Sequence, residues 1–147
     1  MEGCFAEVLA SETAHLAAVT DVETLRAWRR HLVDQLMTPR SPYARALSRS
    51  ADAAETHRFL DRWQDLIAEM IRRLPRSVGG EGAADAHEIA ALILATLHGG
   101  SVLSRVARCA GPLDSALDLA LAPFLGAGRI PSRPPESRDP LDTMGSR

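Results

Sequence analysis

Five histidines and two cysteines are the side chains from which this chain would have to build a metal or nucleophilic centre. His15, His31, His57, His87 and His98 include no i, i+4 pair. None belongs to a His-x-x-Glu-His or Cys-x-x-Cys cluster, the spacings that bring two ligands to one metal. Cys4 and Cys109 lie far apart and read as reduced thiols. The Gly-Gly pairs beginning at 79 and 99 lack the preceding strand that a nucleophile elbow or a phosphate loop requires. The pattern predicts no catalytic residue, no metal site and no cofactor.

What remains is non-covalent chemistry. Trp28 and Trp63 fall on the inner faces of two amphipathic segments, with Phe59, Met37 and Met70 on the same faces. Aromatic and thioether groups line adaptable apolar cavities, and a few polar side chains then orient the ligand. His31, Gln35, Gln64 and His98 are placed to do so. The competing reading is that both tryptophans are core residues whose N–H groups find partners locally. The arginines of "WRR" (28–30) and "IRRL" (71–74) are interleaved with Asp34, Asp61, Asp65 and Glu69, and read as solvated faces with i, i+4 pairing. A formal charge of −2 over 147 residues provides no global basic field for a nucleic acid backbone.

These residues sit in a chain that reads as all-α. Hydrophobic residues make up 46% and aromatics 4%, so the core is built from Leu, Ala, Ile and Val. The first helix runs from about Gly3 to Ala18, with Phe5, Val8, Leu9, Glu12 and Leu16 at helical spacing. Thr20 and Glu23 suggest a capping box for the second, which carries Val22, Leu25, Trp28, Leu32 and Leu36 and ends before Pro39. "SPYARALSRS" predicts a short helix with Ser41 as N-cap and Pro42 in its first position. Asp52 with Glu55, and Asp85 with Glu88, repeat the capping-box spacing before two further helices. The later of these, "HEIAALILATLHGGSVLSRVA" (87–107), has an uncharged run from Ile89 to Ser104, short of the ~20 apolar residues a bilayer needs. Gly111-Pro112 opens a last Leu/Ala helix ending at Leu125. From Gly126 the chain turns rich in Pro, Gly, Ser and Arg, predicting a disordered tail over 126–147.

The order and spacing of "EGCFAEVLASE", "DVETLRAWRRHLVDQL", "HRFLDRWQDLIAEMIRRL" and "HEIAALILATLHGGSVLSRVARCAGPLDSALDLALAPFL" resemble the C-terminal ligand-binding and dimerisation domain of TetR-type transcriptional regulators, over residues 1–125. The resemblance implies a five- to six-helix domain that senses a small hydrophobic ligand in the pocket of Trp28, His31, Gln35, Phe59, Trp63, Gln64, Met70 and His98. It also implies a homodimer in which the last two helices meet their two-fold mates as a four-helix bundle. Gly99, Gly100, Ser101, Leu103, Ser104, Leu113, Ala116, Leu117, Ala120, Leu121 and Phe124 would form that interface. The other reading of the glycines is a kink in a core helix of one subunit. Family members ordinarily begin with a helix-turn-helix head. The chain as written starts about where such a head ends, so contact with DNA is expected only through a head supplied upstream. A stand-alone module that pairs with full-length relatives and takes no ligand is the alternative. An acidic N-terminus without a continuous apolar run predicts a cytoplasmic protein without a membrane anchor.

Overall fold

The computed structural model describes residues 3–48, 52–75 and 85–125. Six helices follow one another: α1 (Gly3–Ala17), α2 (Val22–Met37), α3 (Pro42–Ser48), α4 (Ala53–Arg73), α5 (Ala86–Ala107) and α6 (Gly111–Leu125). No strand occurs among the described residues, so the fold is all-α as expected. The "SVGGEG" segment and the proposed tail lie outside the described residues.

The helix boundaries follow local chemistry, with two corrections. Ser41 Oγ accepts the Ala44 N–H at 3.1 Å and Pro42 takes the first helical position, as the sequence suggests. The capping box of α2, however, is shifted by one residue. Asp21, not Thr20, accepts the N3 amide (Thr24 N–H to Asp21 Oδ1, 2.8 Å), and Thr24 Oγ1 accepts the Asp21 N–H at 3.0 Å. The carboxylate is the stronger acceptor, and the Thr24 hydroxyl supplies the reciprocal bond that Glu23 was expected to make. Asp52 and Asp85 precede α4 and α5 without any side-chain cap bond.

α4 is the most amphipathic element, and its buried face carries Phe59, Trp63, Leu66, Ile67, Met70 and Ile71. Each such side chain contributes about 1.5–3 kcal/mol by leaving water. α4 lies between α1 and α5, α5 packs along α6, and α3 closes the other side of α1 and α2. Two arginines expected to pair within their own helices instead tie helices together. Arg29 Nη2 reaches Asp118 Oδ1 at 2.9 Å and Asp114 Oδ1 at 3.1 Å on α6. Arg73 Nη2 donates to the Leu16 carbonyl of α1 at 2.7 Å.

Taken whole, α5 is long and apolar enough to cross a membrane by length and composition alone, although its uncharged run is shorter. In the fold it places Ala90, Ile93, Leu94 and Leu97 in the core. Its two glycines do different things. A Cβ at Gly100 would stand 3.0 Å from Leu113 Cδ1 and 3.1 Å from Leu113 Cα, so α6 of the same chain crosses there. A Cβ at Gly99 would meet nothing within 4 Å. Ser104 is also spent on this crossing: its Oγ accepts the Leu113 N–H at 3.0 Å, satisfying one of the free amides at the start of α6. Gly100, Ser101, Ser104, Leu113, Leu117, Ala120, Leu121 and Phe124 are therefore buried inside one chain. That corrects their assignment to the contact with a mate, because the helix that Gly100 admits is the chain's own α6. Leu103 remains exposed, and Gly99 and Ala116 half-buried.

Candidate functional site

A cleft of about 450 Å³ opens between α3, α4 and α5. Ala46 and Leu47 line it from α3, Phe59, Leu60 and Gln64 from α4, and Leu94, Ala95 and His98 from α5. Its rim carries His57, whose Nε2 lies 3.2 Å from Asp61 Oδ2. Gln64 donates to the His87 carbonyl at 3.0 Å, which fixes its amide at the edge of the cleft. The wall is apolar, and the polar groups sit at the mouth. Such an arrangement accepts an apolar body and orients it by one polar end.

Only three of the eight pocket residues expected from the sequence, Phe59, Gln64 and His98, meet at this cleft. Trp28, Trp63 and Met70 do not line this cleft: they are at most 2% exposed and packed in the core. That is a correction, and its physical reason is a polar partner for both indoles. Gln35 is half-buried, and its backbone carbonyl accepts a hydrogen bond from Ser41 Oγ. His31 is absent from the cleft lining; it stacks on His15 with ring centroids 4.0 Å apart and lies edge-on to Tyr43 at 5.5 Å. With Trp28 the two histidines border a separate shallow depression of about 300 Å³.

The partner of the indoles is Glu12, which sequence reasoning placed in the apolar stripe of α1 without assigning it a role. It is 0% exposed. Trp63 Nε1 donates to Glu12 Oε2 at 2.9 Å, and Trp28 Nε1 donates to the same oxygen at 3.1 Å. Tyr43 Oη lies 2.8 Å from Glu12 Oε1 and 2.9 Å from Ser11 Oγ. Four helices thus converge on one carboxyl group. Burial pushes its pKa up, against the hydrogen bonds from Trp63, Tyr43 and Trp28 and the nearby His15, which favour the anion. Burial, and then Glu12, hold the Tyr43 hydroxyl well above its ordinary value. Burial lowers His31, helped by His15 and opposed by Asp34. The signal in the sequence was a glutamate in register with Phe5, Val8 and Leu16, all buried.

The cleft and the carboxyl centre share a wall. Phe59 lines the cleft, stacks on Phe5 of α1 at 4.3 Å between centroids, and lies 5.5 Å from the Trp63 ring. No cluster of three or more His, Cys, Asp or Glu side chains suited to a metal occurs among the described residues.

Residues 47–118 match a family model of the TetR C-terminal class, described as the C-terminal domain of LmrA/YxaF-like transcriptional regulators. The matched span takes in the end of α3, all of α4 and α5 and about half of α6, and so includes most of the cleft. No curated protein and no solved structure gives a match.

Proposed function

We propose that this chain, which belongs to the TetR-type transcriptional regulators through its C-terminal domain, senses a small apolar ligand and pairs with a second copy of itself. The observation that carries ligand sensing is the cleft between α3, α4 and α5. It has an apolar wall and a few polar groups at the mouth, and Phe59 connects it to α1. In this reading the ligand's apolar body rests on Phe59, Leu60 and Leu94, while Gln64 and His98 engage its polar end. The role is regulatory rather than catalytic, and the site is cytoplasmic, as is general for the family.

Pairing is supported by the side of α5 and α6 turned away from the core. Leu92, Thr96, Gly99, Leu103 and Val106 follow the alternating four-and-three spacing of a helix-packing seam. Leu103 is 60% exposed and Val106 80%. Leu119 of α6, at 79%, adds to them. Gly99 leaves open space in the middle of this line for another helix. A two-fold contact presents the same surface twice, so each substitution acts twice.

Two measurements test the reading. Hydrophobic ligands should raise the melting temperature with concentration, because ligand adds to the stability of the folded state. Ala95→Trp, which fills the cleft from an exposed position, should abolish that rise. A flat response of the wild-type chain across chemically varied apolar compounds rejects ligand sensing. Sedimentation should give a dimer that Leu103→Glu with Val106→Glu converts to a folded monomer, and a wild-type monomer rejects pairing. The reading without a ligand, a module that pairs with full-length relatives, is favoured by the filled core around Trp28 and Trp63. It would retain the dimer and lose the ligand response.

A further inference from the structure

We propose that Glu12, Tyr43 and Ser11 form a proton-binding switch in the middle of the helical bundle, bordered by the His15–His31 stack, that sets how firmly α1 is held to α2, α3 and α4. The donor set defines where the proton goes. An indole N–H only donates, so Trp28 and Trp63 keep donating to Oε2 whichever state Glu12 adopts. Oε1 faces the Tyr43 hydroxyl at 2.8 Å, and a hydroxyl can donate or accept. When Glu12 is ionised, Tyr43 donates to Oε1. When Glu12 is protonated, Oε1–H donates to Tyr43, and the phenol turns its own proton to Ser11 Oγ, 2.9 Å away. Ser11 is half-exposed and passes the proton to water. Along this chain each hydroxyl gives one proton and receives one, so a single proton moves from Glu12 to solvent.

The surroundings bias this centre without neutralising it. From α1, His15 stands one turn beyond Glu12, its Nδ1 on the Ser11 carbonyl at 2.8 Å. From α2, His31 places Nε2 3.4 Å from Tyr43 Oη, with Asp34 acting on it from behind. α3 contributes Tyr43 and α4 contributes Trp63. Arg73 of α4 is bonded to the Leu16 carbonyl, and Arg45 of α3 lies 3.9 Å from Glu7. Among the described residues neither guanidinium forms an ion pair with Glu12. A buried carboxylate with neutral donors and no bound cation costs more than its protonated form. The folded state therefore holds the Glu12 proton more tightly than the unfolded chain does. The resulting stability is full below the ordinary glutamate value of 4.5 and is lost as the pH rises through the folded value. His31 acts in the opposite sense: its proton is held less tightly in the fold, so its contribution is full above its ordinary value of 6.5 and is lost as the pH falls through the lower, folded value.

The chain has two tryptophans, and both donate to Glu12, so its intrinsic fluorescence reports this centre. Titration of the whole chain should show an emission change centred above pH 4.5. The change should persist in the His15→Gln/His31→Gln variant and disappear in Glu12→Gln. The glutamine amide offers Tyr43 an N–H donor, as the protonated acid does, and keeps a carbonyl for both indoles. Tyr43→Phe deprives the anion of a donor and should move the change to higher pH. An unaltered transition in Glu12→Gln, or its loss in the double histidine variant, overturns the proposal. So does a Glu12 carboxyl carbon that titrates by NMR, in the wild-type chain, at or below 4.5. That last measurement decides the matter even if Glu12→Gln does not fold.

Discussion

Alanine at Gly100 and alanine at Gly99 should move stability in opposite directions, although the two glycines are neighbours on one helix. Both replacements gain the same helix propensity, about 1 kcal/mol. At Gly99 nothing opposes it, because the new methyl group meets no atom within 4 Å. At Gly100 the methyl group arrives 3.0 Å from Leu113 Cδ1 and 3.1 Å from Leu113 Cα. The Cδ1 contact can be relieved by a rotamer change, but the Cα is backbone. Carbon atoms prefer a separation of about 3.5–4.0 Å, so α6 must retreat by roughly half an ångström. Overpacking of that kind costs about 1–3 kcal/mol. Since propensity cancels between the variants, the difference in their unfolding free energies is the overpacking cost alone. For a chain of this length 1 kcal/mol corresponds to about 3 °C, so the two melting temperatures should separate by roughly 3–9 °C. Urea and thermal unfolding would be compared at two protein concentrations, because Gly99 lies on the proposed pairing seam and association raises apparent stability. Equal stabilities, or Gly100→Ala more stable than Gly99→Ala, would refute the assignment of Gly100 to the crossing of α5 and α6.

Ser104→Ala removes the acceptor of the buried Leu113 N–H and should destabilise the chain by about 1–3 kcal/mol in urea unfolding, with Ser104→Thr recovering part of the loss. Thr24 holds the Asp21 carboxyl below its ordinary value, so its contribution is full above pH 3.8 and lost as the pH falls through the lower, folded value. Asp21→Ala should therefore lower the melting temperature near neutral pH and have progressively less effect in strong acid. Glu12→Ala strands two indole N–H groups in the core, while the Tyr43 hydroxyl keeps Ser11. It should destabilise by about 3 kcal/mol or more, and by clearly more than Glu12→Gln, read as urea midpoints.

Much of the fold was legible because the signals are local. Ser41-Pro42 marks a helix start through covalent geometry, and the three-and-four spacing of Phe59, Trp63, Leu66, Ile67 and Met70 leaves α4 one face to bury. Where two local solutions compete, the sequence is silent. Thr20 with Glu23 and Asp21 with Thr24 both have the capping-box spacing, and the second forms the box. The glycine pair shows the same limit at longer range. Successive helical residues point about 100° apart, so Gly99 and Gly100 cannot face one neighbour. Small residues announce a close approach but do not say which helix arrives, and at Gly100 it is α6 of the same chain.

The candidate site was less legible for a reason that Glu12 makes concrete. Its partners Trp28, Tyr43 and Trp63 are 16, 31 and 51 residues away, so no window of sequence contains the centre. Inward-facing tryptophans fit a ligand cavity and a filled core equally well, since both need apolar faces at the same spacing. What separates the two is whether the indole N–H groups find an acceptor inside the protein. A glutamate at 0% exposure provides that acceptor for both, and the apolar cleft lies on the other side of Phe59. The polar residue in the apolar stripe of α1 thus accounts for the filled core around both tryptophans. Glu12 accepts from Trp63, and Phe59, which lines the cleft, stands one helical turn away on the same face of α4. The proposed proton switch and the proposed ligand cleft thus share α4, which makes the pH dependence of ligand affinity in wild type and Glu12→Gln the measurement that joins the two proposals. A ratio of affinities that changes with pH in the wild type and is constant in the variant is the expected result, and identical pH profiles would show that the two sites act separately.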